Sequence, residues 1–306
     1  GFIGSNLALK LQSQFPGARI TIIDDFRSGD FRNLQGFRGA LLSADVSRLD
    51  LDAALKGTGS PKGGACPPLF SAIFHLASIT DTTVTDAALM CRDNIEGFRR
   101  VLEFARPSNT PLIYASSAAT YGIRSGVMKV TDPPAPANAY AFSKMVLDNL
   151  AKYELEHNPD WKIVGVRYFN VFGPGEGHKG AAASMIYQLA ARMKAGKLPR
   201  VFKFGEQKRD FIYVKDAVDA TIGAMGAKQS GIYNVGSGVA TSFNEVINLL
   251  NLELGTSLEP DYFDCPYDFY QTHTQADLSH TKKMFGWSPR YAPAAAIREY
   301  IRRLFP

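Results

Sequence analysis

The sequence predicts an α/β protein built on a doubly wound parallel sheet, followed by a smaller α/β part. Three observations predict it. A glycine turn, GFIGSN at residues 1–6, opens an amphipathic helical run carrying Leu7, Leu9, Leu11 and Phe15. Short apolar runs then alternate with helical patterns, as strands and crossover helices do in a parallel sheet. The apolar runs end in acids, small residues or serines, at the strand ends where such sheets bind ligands.

The glycine turn looks like the back half of a Gly-x-x-Gly-x-x-Gly motif. Glycines admit a pyrophosphate close to the backbone, and the helix N-terminus favours its charge. In a dinucleotide-binding βαβ unit, an apolar strand and a first glycine precede this turn. Nothing precedes Gly1, so the sequence is expected to be truncated, to lack the innermost strand and to fold poorly alone. ARITIIDDF (18–26) reads as the next strand and ends in Asp24-Asp25. Asp24 lies roughly twenty residues past the glycines, where an acid binds the adenosine ribose and favours NAD. Arg27 and Arg32 follow and could instead accept a 2′-phosphate, favouring NADP, or could simply be solvated. ALLSADVSRLD (40–50) reads as a strand ending at Asp45-Val46, facing the adenine. KGTGSPKGGACPP (56–68) reads as a surface loop. LFSAIFHLAS (69–78) is a buried strand; His75 beside it is read as structural rather than catalytic. Asn94 precedes the helical pattern IEGFRRVLEFA. PLIYASSAATYG (111–122) is a strand ending in Ser116 and Ser117.

Composition narrows the function classes. The 306 residues suffice for one large domain or two fused ones. Hydrophobic content of 45% and charged content of 21% are those of a soluble globular chain. There is no apolar run long enough for a membrane span and no charged-then-apolar leader pattern, so a cytoplasmic location and no membrane partner are expected. Cys66, Cys91 and Cys265 form no Cys-x-x-Cys pair, so neither a disulfide framework nor a metal site is expected. The net charge of +5 is scattered rather than striped, which argues against nucleic acid and suits a small anionic substrate.

The most informative stretch is NAYAFSKMVLDNL (138–150). Tyr140 and Lys144 are four apart, so on a helix they share a face. A fixed ammonium one turn from a phenol stabilises the phenolate and lowers its pKa from about 10. The pair can then exchange a proton with a hydroxyl as hydride moves to or from the same carbon. Gly4, Asp24, Ala77 and Ser117 all fall at the strand ends near it. After KIVGVRYFNVFGP (162–174) the alternation breaks. A loop and helix (GEGHKGAAASMIYQLAARMKAGK), a strand into a helix (KRDFIYVKDAVDA, 208–220), a strand and turn (GIYNVGSG, 231–238), a helix (SFNEVINLLNLELG), a loop and helix (270–287) and a last helix from about Ala294 follow.

GFIGSN, SSAATYG, Tyr140-x-x-x-Lys144, RYFN and RDFIYVKD, in that order, resemble the extended short-chain dehydrogenase/reductase superfamily acting on nucleotide sugars. The resemblance covers essentially the whole chain. Within it, YASSAATYG (114–122), RYFNVFGPGEGHKG (167–180), KRDFIYV (208–214) and YQTHTQADL (270–278) look most like the ADP-L-glycero-D-manno-heptose 6-epimerases. GEGHKG distinguishes them from the UDP-sugar 4-epimerases. The chain departs from that pattern at Asp24-Asp25, where Asp-Asn is usual, and at CPYDF before Tyr270, which lacks a basic residue.

The resemblance implies a Rossmann domain at 1–168 and a mainly substrate-binding domain at 169–306, with a segment near 208–236 returning to the first. It implies one tightly bound NADP, alternatively NAD, held by Gly1, Phe2, Ile3, Gly4, Asp24, Asp25, Arg27, Asp45, Val46, Leu76, Ala77, Ser78, Asn94, Tyr140 and Lys144. Ser117, with Ser116 as its rival, would hydrogen-bond the reacting sugar oxygen and stabilise charge there. Tyr140 would be the acid/base, Lys144 would also bind the nicotinamide ribose, and Lys179 would be a second acid/base on the opposite face. Asn170 and Arg209 would bind the diphosphate; for Arg209 an ion pair with Asp210 or Asp216 is the rival. His178 would orient substrate, and Tyr270 and Gln271 would meet the adenosine of an ADP-sugar. Ala118 and Ala119 stand where related 4,6-dehydratases carry Asp-Glu, so water elimination is not expected. The implied activity is C6 inversion in ADP-D-glycero-D-manno-heptose by transient oxidation and direct hydride return; another nucleotide-sugar epimerase, such as a UDP-hexose 4-epimerase, is the alternative. A homo-oligomer is expected from the same resemblance.

Overall fold

The computed structural model describes residues 1–55, 70–266 and 270–306. The Gly/Pro-rich stretch 56–68 and residues 267–269 of CPYDF lie outside the described residues. Helix α1 (Phe2–Gln14) leads into strands β1 (Thr21–Asp24) and β2 (Ala40–Ser43). Then come α2 (Leu51–Leu55), β3 (Ile73–His75), α3 (Ala87–Met90), a π-helical turn at Cys91–Glu96 and α4 (Gly97–Ala105). β4 (Leu112–Ser117), β5 (Gly126–Met128), α5 (Ala139–His157), β6 (Ile163–Tyr168) and β7 (Asn170–Phe172) follow. The rest is α6 (Met185–Lys194), β8 (Arg200–Phe202), β9 (Lys208–Tyr213), α7 (Val214–Gly223), β10 (Gly231–Val235), β11 (Ala240–Ser242), α8 (Phe243–Leu254), β12 (Asp261–Phe263), β13 (Thr274–Ala276), α9 (Ser279–Phe285) and α10 (Pro293–Leu304).

Four strands form a parallel sheet in the order β10-β6-β4-β3. β1 and β2 form a separate parallel pair, with Thr21 opposite Ala40. Both faces of the four-stranded sheet are covered, which is why its strands read as continuous apolar runs. Leu112, Tyr114 and Ile163 pack with Phe98 and Leu102 of α4 and Leu147 and Ala151 of α5. The alternate residues Ile113, Ala115, Val164 and Val166 pack with Ala217 and Ala220 of α7. This is the period-2 alternation of a strand seen from its two sides. Gly165 is required on the first face. A Cβ there would meet the Tyr114 hydroxyl oxygen at 2.4 Å, because that ring crosses directly over the neighbouring strand.

The second part of the chain is held by short pairs: β7 with β9, β9 with β11, β8 with β12, and β5 with β13. Several of these strands have three residues, too short to show a period in sequence. One reading is corrected. The strand expected to end at Asp45-Val46 stops at Ser43, because the Asp45 carboxylate accepts the Ser47 amide at 2.9 Å and hydroxyl at 2.7 Å. Such an aspartate turn competes with the strand ladder.

Asp210 stitches this part together. Its carboxylate is fully buried and accepts from Ser237 N–H (2.6 Å), Ser237 Oγ (2.7 Å), Gly238 N–H (2.9 Å) and Ala276 N–H (2.9 Å). It thereby joins β9, the turn after β10, and β13. Asp210→Ala would leave three backbone donors without an acceptor, a loss of roughly 3 kcal/mol or more. Urea unfolding of the variant is expected to show that loss, and Asp210→Asn a smaller one.

Candidate active site

The C-terminal ends of β3 and β4 and the start of α5 converge on Lys144. α5 begins there because Asn138 caps it, its side chain accepting the Ala141 N–H at 2.8 Å. That fixes Tyr140 in the first turn and Lys144 one turn later. Lys144 is 2% exposed, an unusual place for an ammonium. Its Nζ donates to the Ser78 hydroxyl at 3.0 Å and to the Ala115 carbonyl at 2.9 Å. Two of its three donors are thus used by the protein. Burial pulls its pKa down to about 8, with the Asp148 carboxylate one turn further on opposing.

Tyr140 is half-buried, and Ser117 hydrogen-bonds its phenol. The Lys144 ammonium lies 5.8 Å from the centre of the Tyr140 ring. Here the expectation is corrected. Burial raises the phenol pKa, only Ser117 opposes it, and Lys144 does not bring it down. The ammonium points instead to Ser78 and Ala115. Ser117 also caps the turn that follows it, accepting the Ala119 N–H at 3.1 Å. The buried Ser116 hydroxyl has no hydrogen-bond partner among the described residues. Of the two serines, Ser117 is the one joined to Tyr140.

On a separate segment, Lys179 lies in a 3-10 turn at Gly177–Ala182. Its Nζ sits 5.8 Å over the Phe2 ring, beside the glycine turn. Burial lowers its pKa, while Glu176 and Asp81 pull the other way. Glu176, which the sequence reading passed over, anchors this loop. Its buried carboxylate accepts the Gly173 N–H at 3.0 Å, the Ser184 N–H at 2.6 Å and the Ser184 hydroxyl at 3.0 Å. His178, expected to orient substrate, has one ring nitrogen engaged by the protein itself. Its Nδ1 lies 3.2 Å from Asn33 Nδ2, in the loop after β1. Asn33 also donates to the Gly175 carbonyl at 2.8 Å, and Asn6 to the Pro174 carbonyl at 3.0 Å. The loop that carries Lys179 is therefore clamped to the glycine turn's helix and to the loop after β1.

Arg209 pairs with neither Asp210 nor Asp216, and it makes no ion pair among the described residues. Its guanidinium lies 5.0 Å from the Tyr270 ring centre and 6.0 Å from that of Phe243. Burial lowers its pKa against the influence of Tyr270. A half-buried guanidinium between aromatic faces with no carboxylate is suited to a phosphate. The Asn170 side chain donates to the Asp210 carbonyl at 3.2 Å, and Gln271 to the Gly122 carbonyl.

The opposite end of the cleft fits a dinucleotide. A Cβ at Gly1 or Gly4 would meet no atom within 4 Å, so the space above the turn is open. Asp24 stands against this turn, with its Oδ1 taking the Phe26 N–H at 2.9 Å. Leu76, Ala77 and Ser78 follow β3 toward the same point, and half-buried Val46 packs towards Gly97 of α4. Two readings change. Arg27 and Arg32, offered by the sequence to a 2′-phosphate, are held by carboxylates. Arg27 pairs with Asp25, Asp93 and, at 2.9 Å, Asp45; Arg32 pairs with Asp30 at 2.6 Å. Asn94 is fully buried, and its amide is spent within the protein. It accepts the Ile79 N–H at 2.8 Å and donates to the Ile79 carbonyl, Met90 Sδ and the Ser143 hydroxyl. It braces the loop after β3 against α5. His75 is buried beside Phe98, and burial with nearby Lys144 pulls it to about 3, so it is a neutral structural residue as read.

A family model described as the NAD dependent epimerase/dehydratase family matches residues 1–236. The chain belongs to that family. It is an NAD(P)-dependent nucleotide-sugar epimerase, and its resemblance to the nucleotide-sugar short-chain dehydrogenase/reductases is borne out. The solved ADP-L-glycero-D-manno-heptose-6-epimerase of Helicobacter pylori is 37% identical, with a TM-score of 0.88, over 99% of this chain and 93% of that one. The UDP-N-acetylglucosamine 4-epimerase of Methanobrevibacter ruminantium M1 is 25% identical, with a TM-score of 0.88, over 99% and 95%. The UDP-glucose 4-epimerase of Thermotoga maritima is also 25% identical, with a TM-score of 0.88, over 100% and 97%. No helix among the described residues is long and apolar enough to cross a membrane.

The Lys144 environment makes a prediction that needs no substrate. Its ammonium is expected to titrate near pH 8, read from the chemical shift of a 13C-labelled lysine ε-carbon. Asp148→Asn removes the carboxylate that favours the charged form, so the midpoint is expected to move lower.

Proposed function

We propose that this enzyme inverts C6 of the heptose in ADP-D-glycero-D-manno-heptose, giving ADP-L-glycero-D-manno-heptose. The observation that carries the proposal is Lys179. Its ammonium stands over Phe2 at the glycine turn, on a different segment from Tyr140 and Ser117. Epimerisation at one carbon needs proton exchange on both faces, and this cleft has a candidate acid/base on each of two separate segments. A bound dinucleotide would supply the hydride chemistry at C6. Lys179, whose pKa burial lowers, takes the hydroxyl proton in one orientation of the sugar, and Tyr140, held as the phenol, supplies one in the other. Ser117 donates to the same oxygen and stabilises it as the C6 ketone forms. Lys144 would hold the ribose of one tightly bound dinucleotide per chain. Arg209 and Asn170 hold the diphosphate, and Tyr270 and Gln271 flank the adenosine. The higher identity to the heptose epimerase than to the 4-epimerases supports ADP-heptose as substrate.

A second reading, a UDP-hexose 4-epimerase, is favoured by equal TM-scores to two UDP-sugar enzymes. Nucleotide preference separates the two. With ADP-D-glycero-D-manno-heptose in heavy water, NMR is expected to show inversion at C6 without deuterium at that carbon. Inversion with deuterium would replace hydride return by deprotonation, and inversion of UDP-hexoses alone would select the second reading. Tyr140→Phe and Lys179→Met are each expected to lower turnover by roughly a hundredfold or more while dinucleotide still binds. Normal turnover by Lys179→Met would remove the two-base scheme.

A further inference from the structure

We propose that Glu176 is the positioning residue for Lys179: its carboxylate closes the loop that carries the ammonium and gives that ammonium a counter-charge it does not touch. The inference rests on the reading of Lys179 as an acid/base and adds what holds it ready.

Lys179 and Lys144 are held in opposite ways. Lys144 spends two donors on the protein, whereas the Lys179 ammonium makes no hydrogen bond or ion pair among the described residues. Its place is set by its backbone. The loop from Gly173 to Ser184 carries it, and Glu176 fastens both ends of that loop. Oε1 accepts the Gly173 N–H and the Ser184 hydroxyl, each at 3.0 Å, and Oε2 accepts the Ser184 N–H at 2.6 Å. The Glu176 carbonyl also accepts the Lys179 N–H at 2.9 Å, so one residue holds the ends and the middle. Gly173 suits this turn: its φ is 141°, and a Cβ there would meet Val214 Cγ1 at 2.7 Å.

The same carboxylate carries a charge that no contact cancels. Glu176 is 0% exposed and makes no ion pair among the described residues. The buried carboxylates of Asp93, Asp148 and Glu154 each sit on an arginine instead. Glu176 is met by donors alone, among them the Tyr300 phenol of α10, whose pKa burial and this carboxylate push up. Burial raises the Glu176 pKa, and those donors oppose it. A protonated carboxyl would need an acceptor for its own hydrogen, so these partners select the anion. The titratable groups that face Lys179 are Glu176 in its own turn, Asp81 in the loop after β3 and neighbouring His178. Burial favours the neutral amine of Lys179, while Glu176 and Asp81 favour the ammonium. At low dielectric, a charge nearby but out of contact acts on proton affinity without occupying donors. The Lys179 nitrogen thus stays available to a sugar oxygen.

Titration of the Lys179 ε-carbon by 13C NMR in the full chain tests the link without substrate, the signal being assigned by its loss in Lys179→Met. Glu176→Gln removes the charge and is expected to move the midpoint lower by about 0.5 in pH or more. The sign is diagnostic, because loosening alone would admit water to the ammonium and move the midpoint up. A midpoint that stays or rises in folded Glu176→Gln would overturn the counter-charge. In turnover, Glu176→Gln is expected to lower kcat roughly tenfold or more with KM nearly unchanged. It is also expected to move the rising limb of the pH profile to lower pH, since the neutral amine is the base. Ser184→Ala cuts one fastening and keeps the charge, so kcat is expected to fall with the midpoint held. Normal kcat in folded Ser184→Ala and Glu176→Gln would overturn the positioning role; should Glu176→Gln fail to fold, normal kcat in Ser184→Ala would do so alone. Normal turnover by Lys179→Met would strike the acid/base reading itself, while a lowered midpoint in Glu176→Gln would still support the link between the two residues.

Discussion

A buried ammonium must be partnered, and much of the cleft is arranged around satisfying one. Lys144 reaches across from α5 to the backbone of β4 at Ala115 and to Ser78 beyond β3. Its single charge therefore locks two strand ends and a helix into one geometry. Behind it, Asp148 accepts from Tyr114 at 2.9 Å and from the Arg167 guanidinium at 2.8 and 3.0 Å. Arg167 in turn lies 4.8 Å from the Tyr121 ring centre, and Tyr121 donates to Asn234 at 2.6 Å. The network runs from α5 through β4 and β6 to β10. Each member is too buried for water to replace a missing partner, so the positions of Tyr140 and Ser117 follow from it.

The second constraint is the π-helical turn around Asn94. An extra residue in a helical turn re-aims the side chains that follow and frees backbone groups to bond elsewhere. Here it brings the Asn94 amide against Ile79 and Ser143. Ser143 precedes Lys144 directly, so the loop after β3 and the helix that carries the acid/base pair share a brace. Asn94 contributes to the site as a strut.

The main parallel sheet and the Tyr140–Lys144 turn were legible because they rest on patterns of long reach. Apolar runs of four to six residues, a glycine turn and an i, i+4 pair are visible in one dimension. The short pairs β5–β13 and β8–β12 were not, since three residues show no period and their partners lie far along the chain. Among site residues, Ser117 and Arg209 stand in surroundings that suit the roles suggested for them. His178 and Asn94 are engaged by the protein itself, and the cause is the same for both. A polar side chain in a motif can serve the backbone or a ligand, and only the fold shows which. Arg27 fails to read for a related reason: its partners Asp45 and Asp93 are distant in sequence, so the loop looked basic when the assembled edge is balanced. Asp148 did leave a trace, four residues after Lys144. Glu176 left none, because nothing in GEGHKG marks its carboxylate as the part turned inward.

The clasp between the Lys179 loop and the first helix has a thermodynamic meaning. Asn6 and Asn33 grip the carbonyls of Pro174 and Gly175 from the side of the glycine turn, where the proposed site would take the dinucleotide. The loop they grip carries Lys179, which the proposed function turns toward the sugar. On the proposed function the two ligands would share a mechanical element, and a shift of it imposed by one would be felt by the other. Linkage makes such an influence reciprocal: whatever factor the dinucleotide applies to sugar affinity, the sugar applies to retention of the dinucleotide. An enzyme that oxidises and then reduces the same carbon has no use for exchanging its redox partner midway. On the proposed function, two asparagines and two carbonyls would tie that retention to the presence of substrate.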